Sequence, residues 1–214
     1  MRIERFVVNP FQENCYVVSD DSKECVIIDC GAFFKEERSA IVDYIDKNGL
    51  KPQHLLCTHA HIDHCLGNNT IYDHYGLKPE VHGDDEQLID MLPQQSELLM
   101  QYRLDYQMPP VGRYFTERDT IVFGKHKFSI IHTPGHTQGC VFFYCEEEKT
   151  AFSGDTLFRM SVGRTDLPTG NHQALMQSLH KVLTTLPHDT TVLCGHGPQT
   201  TIADELAMNP YYMH

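Results

Sequence analysis

No stretch of this chain is apolar over anything near the ~18 residues that crossing a membrane requires, so a membrane-spanning role is not expected. The opening residues, Met1-Arg2-Ile3-Glu4-Arg5-Phe6, lack the apolar core of a signal peptide. Positive charge is scarce: 17 Lys and Arg stand against 29 Asp and Glu, a formal net charge of -12. That balance argues against a nonspecific nucleic-acid surface. It leaves room for an anionic small-molecule substrate, because a bound metal ion can dominate its local field. The eight cysteines, at 15, 25, 30, 57, 65, 140, 145 and 194, contain no C-x-x-C pair and lack the spacing of a small disulfide scaffold. Most lie in apolar runs, where reduced Cys packs as a small hydrophobe, and a reducing, cytoplasmic location is expected. There is no linker, low-complexity tract or short repeat, so the 214 residues, 41% hydrophobic, are expected to form one domain over 1–214.

Against that background one short run stands out. Thr58-His59-Ala60-His61-Ile62-Asp63-His64 places three imidazoles and a carboxylate in seven residues. Both groups are ligands for zinc, iron and manganese. In extended chain the period of two puts His59 and His61 on one side, and a turn could then swing Asp63 and His64 to the same point. The run can start two metal sites but cannot finish them. Candidate partners follow three apolar, β-rich runs, each ending in a Gly-punctuated turn: His136 in Thr133-Pro134-Gly135-His136-Thr137, Asp155 in Ser153-Gly154-Asp155-Thr156, and His196 in Cys194-Gly195-His196-Gly197. Such turns at a sheet edge let loops carry chemistry on a rigid support. The set holds five His and two Asp; two sites of three His each would exceed it, so one carboxylate is expected to serve both.

The periodicities predict strands at 3–8, 15–18, 25–29 and 54–57, and a helix over 35–48 closed by Gly49. A second helix is expected from about Asp63 to Tyr75, ended by Gly76, and a polar helical region over 84–106 broken at Pro93. Strands follow at 120–123, 127–132, 140–145 and 150–153, then a helix over 171–185, a strand at 191–194 and a helix over 202–208. His132 reads as structural, and His54, His74, His82, His126, His172, His180, His188 and His214 as surface or satisfied core residues. Cys65 and Cys194 lie beside candidate ligands; a thiolate there could join a metal site, but buried packing is the expected role.

The T-H-x-H-x-D-H run, the T-P-G-H-T-x-G segment, the S-G-D-T-L-F segment and the late G-H turn, in this order, resemble the metallo-β-lactamase superfamily and, within it, the glyoxalase II (hydroxyacylglutathione hydrolase) branch. The resemblance spans about Asn14 to His196. It implies an α/β fold, a four-layer αβ/βα sandwich of two mixed sheets flanked by helices, with metals at the shared sheet edge. It also implies that His59, His61 and His136 hold one divalent metal, that Asp63, His64 and His196 hold a second, and that Asp155 bridges them together with a water or hydroxide. The metals would be zinc, with iron or manganese as alternatives. Asp29, after a β run, would support the cluster by hydrogen bonds to its ligands; a plain strand-terminal turn residue is the alternative.

A metal pair can activate a shared water and polarise a carbonyl, and a thiolate leaves without much protonation. The resemblance therefore implies hydrolysis of a thioester such as S-D-lactoylglutathione, with Asp63 and Asp155 as the catalytic carboxylates. Asp155 stands where zinc β-lactamases typically carry Cys, which argues against β-lactamase activity. Three departures weaken glutathione recognition, one being Gly195-His196-Gly197-Pro198 where the late motif usually reads G-H-E-Y. Only residues 197–214 follow His196, too few for the added C-terminal helical domain of full-length glyoxalase II, and Arg159 to Asp166 replaces the expected Lys and Tyr. The Gly163-Arg164-Thr165-Asp166 turn resembles short single-domain glyoxalase II-like proteins and also persulfide dioxygenases. Arg164 could bind an acidic substrate end bidentately or pin its own loop through Asp166. A mono-iron persulfide dioxygenase, and a hydrolase of another ester or lactone, remain the alternatives.

Overall fold

Glu13–Ser19, Val141–Cys145 and Thr150–Gly154 are buried at every residue, without the alternation of a half-exposed sheet. Strands of that kind need cover on both faces. The computed structural model, which describes residues 1–212, supplies it with two six-stranded mixed sheets packed face to face and helices outside each. His214 lies outside the described residues.

The first half contributes β1 (Arg2–Val8), β2 (Glu13–Ser19), β3 (Glu24–Ile28), α1 (Lys35–Lys47), β4 (Lys51–Leu56), α2 (Asn68–Tyr75), β5 (Pro79–His82), α3 (Glu86–Asp90), α4 (Leu92–Met100) and β6 (Arg113–Phe115). Its strands lie in sequence order, antiparallel through β3 and parallel from β3 to β6. The second half contributes β7 (Thr120–Phe123), β8 (His126–His132), β9 (Val141–Cys145), β10 (Thr150–Gly154), a small hairpin of β11 (Leu157–Phe158) and β12 (Ser161–Val162), α5 (His172–Thr185), β13 (Thr191–Cys194), β14 (Thr200–Thr201) and α6 (Ile202–Met208). Its sheet runs β14-β13-β10-β9-β8-β7, with β10 and β13 parallel.

Three apolar layers hold this together. Val18, Val26, Ile28, Leu56 and Phe115 of the first sheet meet Phe123, Phe128, Phe143 and Phe152 of the second in one central core. Alternate residues of the first sheet, Val17, Ile27 and Leu55, face Ile41 and Ile45 of α1 and Ile71 of α2. Phe142, Ala151 and Val192 face Leu179, Val182 and Leu183 of α5. This is the four-layer αβ/βα arrangement. No helix of the described residues is long and apolar enough to cross a membrane.

Three expectations need correction. The helix expected from Asp63 begins only at Asn68; Ile62–His64 is a single 3-10 turn. Residues between are held to the loop after β3, where Gly67 N–H donates to Cys30 O at 2.8 Å and a Cβ on Gly67 would crowd Cys30 Sγ. The region 84–106 is two short helices that part at Met91, while Pro93 sits in the first turn of α4, where its missing N–H costs nothing. Helix ends at Met100 because Gln101 turns left-handed at φ 53°. Strands β5 and β6 have no alternation long enough to signal them and exist through parallel pairing with β4 and each other.

Candidate metal centre

At one edge of the sandwich the two sheets are stitched by backbone bonds. Asn14 N–H donates to Gly195 O at 2.7 Å, and Val141 N–H donates to Thr58 O at 2.9 Å. Asn14 Nδ2 and the Tyr16 hydroxyl both donate to Cys194 O. The turns after β4, β8, β10 and β13 all open at this edge, and they carry the seven residues singled out above.

The structure brings all seven together. His59, His61 and His136 each present a donor atom within 4.8 Å of the others, as do Asp63, His64 and His196. Asp155 spans the two triads. Its Oδ2 lies 3.5 Å from Nε2 of both His136 and His196, and its Oδ1 lies 3.4 Å from His64 Nε2. Asp63 Oδ2 lies 3.3 Å from His196 Nε2. Close approach is possible because Gly195 lacks a Cβ, which would run into Asp155 Oδ1.

Three of the five imidazoles, His59, His136 and His196, are oriented through the far nitrogen. His136 Nδ1 donates to Arg164 O at 2.7 Å, and His196 Nδ1 donates to Phe11 O at 3.0 Å. His59 Nδ1 lies 3.1 Å from Thr58 Oγ1, which donates in turn to Asp29 Oδ2 at 2.7 Å. Asp29 Oδ1 accepts from Thr58 N–H, and its Oδ2 lies 3.1 Å from His64 Nδ1. Asp29 is thus held beneath two of the triad histidines from a backbone turn at φ 54°. Nε2 of His59 and of His61, both ring nitrogens of His64 and Oδ1 of Asp155 are buried and make no hydrogen bond. Buried polar atoms are normally paired, so this donor set fits divalent cations with mixed nitrogen and oxygen ligands.

The electrostatics agree. Burial holds the His59 pKa well below its ordinary value and lowers that of His61 to about 3, so both rings are neutral. Burial also opposes charge on His64, but Asp155, Asp63 and Asp29 outweigh it and raise its pKa well above 6.5. Burial likewise works against Asp155, yet His64, His196 and His136 keep its carboxyl ionised far below its ordinary range.

Several supporting residues carry no signal in the sequence. Asp85, fully buried, accepts from Ala60 N–H, Thr137 Oγ1 and Gly139 N–H, joining the run between His59 and His61 to the turn that bears His136. Gln95 spends its whole amide on backbone: Oε1 accepts from Ile62 N–H while Nε2 donates to Ala60 O and Leu88 O. Asn9 Nδ2 donates to Asp63 O and Gly31 O. Glu13 is buried behind His64, 3.8 Å from its Nδ1. Only Thr58 could have been suspected, by adjacency to His59.

Arg164 is placed at the rim with its guanidinium already engaged; Nε and one terminal nitrogen each donate to an Asp166 oxygen at 2.7 Å. Cys65 and Cys194 are buried free thiols outside all the ligand groupings among the described residues. Burial pushes the Cys194 thiol up to about 12, and the Cys57 contact and burial raise that of Cys65. A further grouping, His82, Asp84 and His132, shares no residue with the seven. Its two rings stack at 4.2 Å and 16°, and parallel rings cannot aim both lone pairs at one ion.

With this geometry in view, the comparisons with known proteins agree. A family model described as the metallo-beta-lactamase superfamily matches residues 8–196. The hydroxyacylglutathione hydrolase GloC of Haemophilus influenzae is 35% identical over 215 residues, covering 99% of this chain and 98% of that protein. The crystal structure of BLEG-1, called a B3 metallo-beta-lactamase, superposes with a TM-score of 0.90 at 34% identity, covering 100% of both chains. The crystal structure of TTHA1623 in a di-iron-bound form superposes with a TM-score of 0.85 at 35% identity, covering 97% of this chain and 99% of that one.

Proposed function

The chain belongs to the metallo-β-lactamase superfamily and is a metallo-hydrolase of it, and from that premise we propose that it hydrolyses thioesters at two divalent cations held by the seven residues above. One observation carries the binuclear part: Asp155 reaches nitrogens of both triads, at 3.5 Å, 3.5 Å and 3.4 Å. His59, His61 and His136 would hold one cation, Asp63, His64 and His196 the other, and Asp155 both. Zinc and iron both suit this nitrogen and oxygen set, and TTHA1623 is described with two irons.

When bound, such a pair lowers the pKa of a water and polarises the scissile carbonyl. The protein's own groups do the rest. Asp63 and Asp155, whose carboxylate oxygens face the same point as His196 Nε2, can accept hydrogen bonds from the attacking water and orient it. The backbone contacts at Arg164 and Phe11, and the Asp29–Thr58 pair, fix the ligand rings so that little reorganisation accompanies reaction. Hydrolysis forms a C–O bond at the carbonyl carbon and breaks the C–S bond; the thiol departs with the proton. The thioester part is supported by likeness to the Haemophilus hydroxyacylglutathione hydrolase, so S-D-lactoylglutathione is the first substrate to try. Eight buried free thiols support a reducing, cytoplasmic location.

The test is metal analysis of protein purified without chelator, followed by a panel of thioesters, an ester, a lactone and a β-lactam. About two metals per chain and chelator-sensitive thioester cleavage are expected. One metal, oxygen uptake with glutathione persulfide and no thioester cleavage would replace this reading with the dioxygenase. Preference for the lactone or the β-lactam would retain the metal site and remove the thioester.

A further inference from the structure

Beside His61 the surface folds into a small slot of about 60 Å³. Its walls are Leu88, Met91, Leu98 and Leu99 of the α3–α4 segment on one side and Leu167 and Pro168 on the other. Gln94, exposed, also borders the slot, whose surface is otherwise apolar. Gln95 has its amide fully committed to Ile62, Ala60 and Leu88 backbone, so it offers the slot no free polar group. His61 directs Nδ1 toward His136 at 2.9 Å, and its Nε2 is shielded from solvent. Leu98, which lines the slot, is 73% exposed.

We propose that this slot is the acyl-chain subsite of the enzyme, taking the carbons beyond C2 of a short, unbranched acyl group; the proposal rests on the thioester-hydrolase reading. Position and size both argue for it. A carbonyl placed over the ligand cluster has two substituents, the acyl chain and the thiol, and the slot begins at a ligand ring. A cavity of about 150 Å³ holds a benzene ring; one of 60 Å³ holds a few carbons and excludes a peptide-sized thiol such as glutathione. The leaving group therefore extends over the open rim, and chain length is read by the slot. Burying each methylene there favours binding by about fourfold until the slot is full.

The experiment uses the zinc-loaded full chain and a series of acetyl, propanoyl, butanoyl and octanoyl thioesters of one thiol. kcat/KM is expected to climb about fourfold per carbon to butanoyl and to fall at octanoyl. The matching carboxylates, read as thermal stabilisation of the same protein, are expected to follow the same order without any turnover. Leu98→Asp, at an exposed position, and Leu167→Trp, which narrows the mouth, should both flatten the butanoyl-to-acetyl ratio while the proteins remain folded. A flat series in the parent protein, or a ratio unchanged in both folded variants, overturns the subsite. If no thioester is cleaved, the thioester reading fails and the carboxylate series still decides the slot.

Discussion

The Nδ1–H of His136 donates to the main-chain carbonyl of Arg164 at 2.7 Å, so an inward-facing imidazole is set by a loop 28 residues further along the chain. That loop is itself clamped by the two-pronged Arg164–Asp166 pair. Gly163 sits between, where a Cβ would collide with Asp155 O. The ring, the loop and the candidate bridging carboxylate form one packed unit, which makes Arg164 informative in two ways.

Replacing Arg164 with Ala should lower kcat/KM for acidic and neutral thioesters alike, because Asp166 already occupies the guanidinium. The pair is exposed, so thermal stability should change little. A rise in KM confined to the acidic substrate would instead place Arg164 on the substrate carboxylate.

Asp155→Ala should reduce metal content and hydrolysis together, and by more than His196→Ala. Asp155 approaches nitrogens of both triads, on His136, His196 and His64, whereas His196 is grouped within 4.8 Å only with Asp63 and His64 of its own triad. Metal analysis and single-substrate kinetics on both variants check this; near-normal values in Asp155→Ala would remove the bridge.

Asp85→Ala leaves three buried donors, on Ala60, Thr137 and Gly139, without their acceptor. The expected loss is about 2–4 kcal/mol, seen as a lowered Tm, with weaker metal binding because both turns it joins carry ligand residues. A variant that melts normally and binds metal normally would show that the turns hold themselves.

The metal-free protein should be most stable near pH 6.5. His61, lowered to about 3, and His59, also lowered, stay neutral in the fold while the unfolded chain takes up protons below 6.5, so stability falls as pH drops from 6.5 toward 3. His64 and His196, both raised, stay protonated in the fold above 6.5 while the unfolded chain releases protons, so stability also falls as pH rises. Metal must displace those protons, and its affinity should increase with pH. Melting curves of chelator-treated protein from pH 5 to 9, with and without zinc, measure both slopes; a zinc effect independent of pH would contradict them.

The main elements were legible from pattern. Strand β13 at Thr191–Cys194 and helix α6 at Ile202–Met208 fall where their apolar periods place them, and α1 ends as Gly49, at φ 62°, predicts. The ligand candidates were legible too, because imidazole and carboxylate bunched beside glycine turns have few other uses. What was not legible depends on partners far along the chain. Strand β5 needs β4 beside it, and the start of α2 depends on Cys30 holding Gly67.

The sequence by itself determined which residue types could hold metal, the apolar faces that make two sheets and their helices, and the order in which the candidate ligands arrive. Tertiary structure alone decided that Asp85, Gln95 and Asn9, ordinary polar residues with no local pattern, become the backbone anchors of the site. It also decided that Arg164 spends its charge on Asp166, and that α3, α4 and the loop at Leu167 leave an apolar slot beside His61. The reason is physical. A ligand is recognised by the chemistry of its own side chain, whereas an anchor or a cavity wall is defined only by what the rest of the fold brings against it.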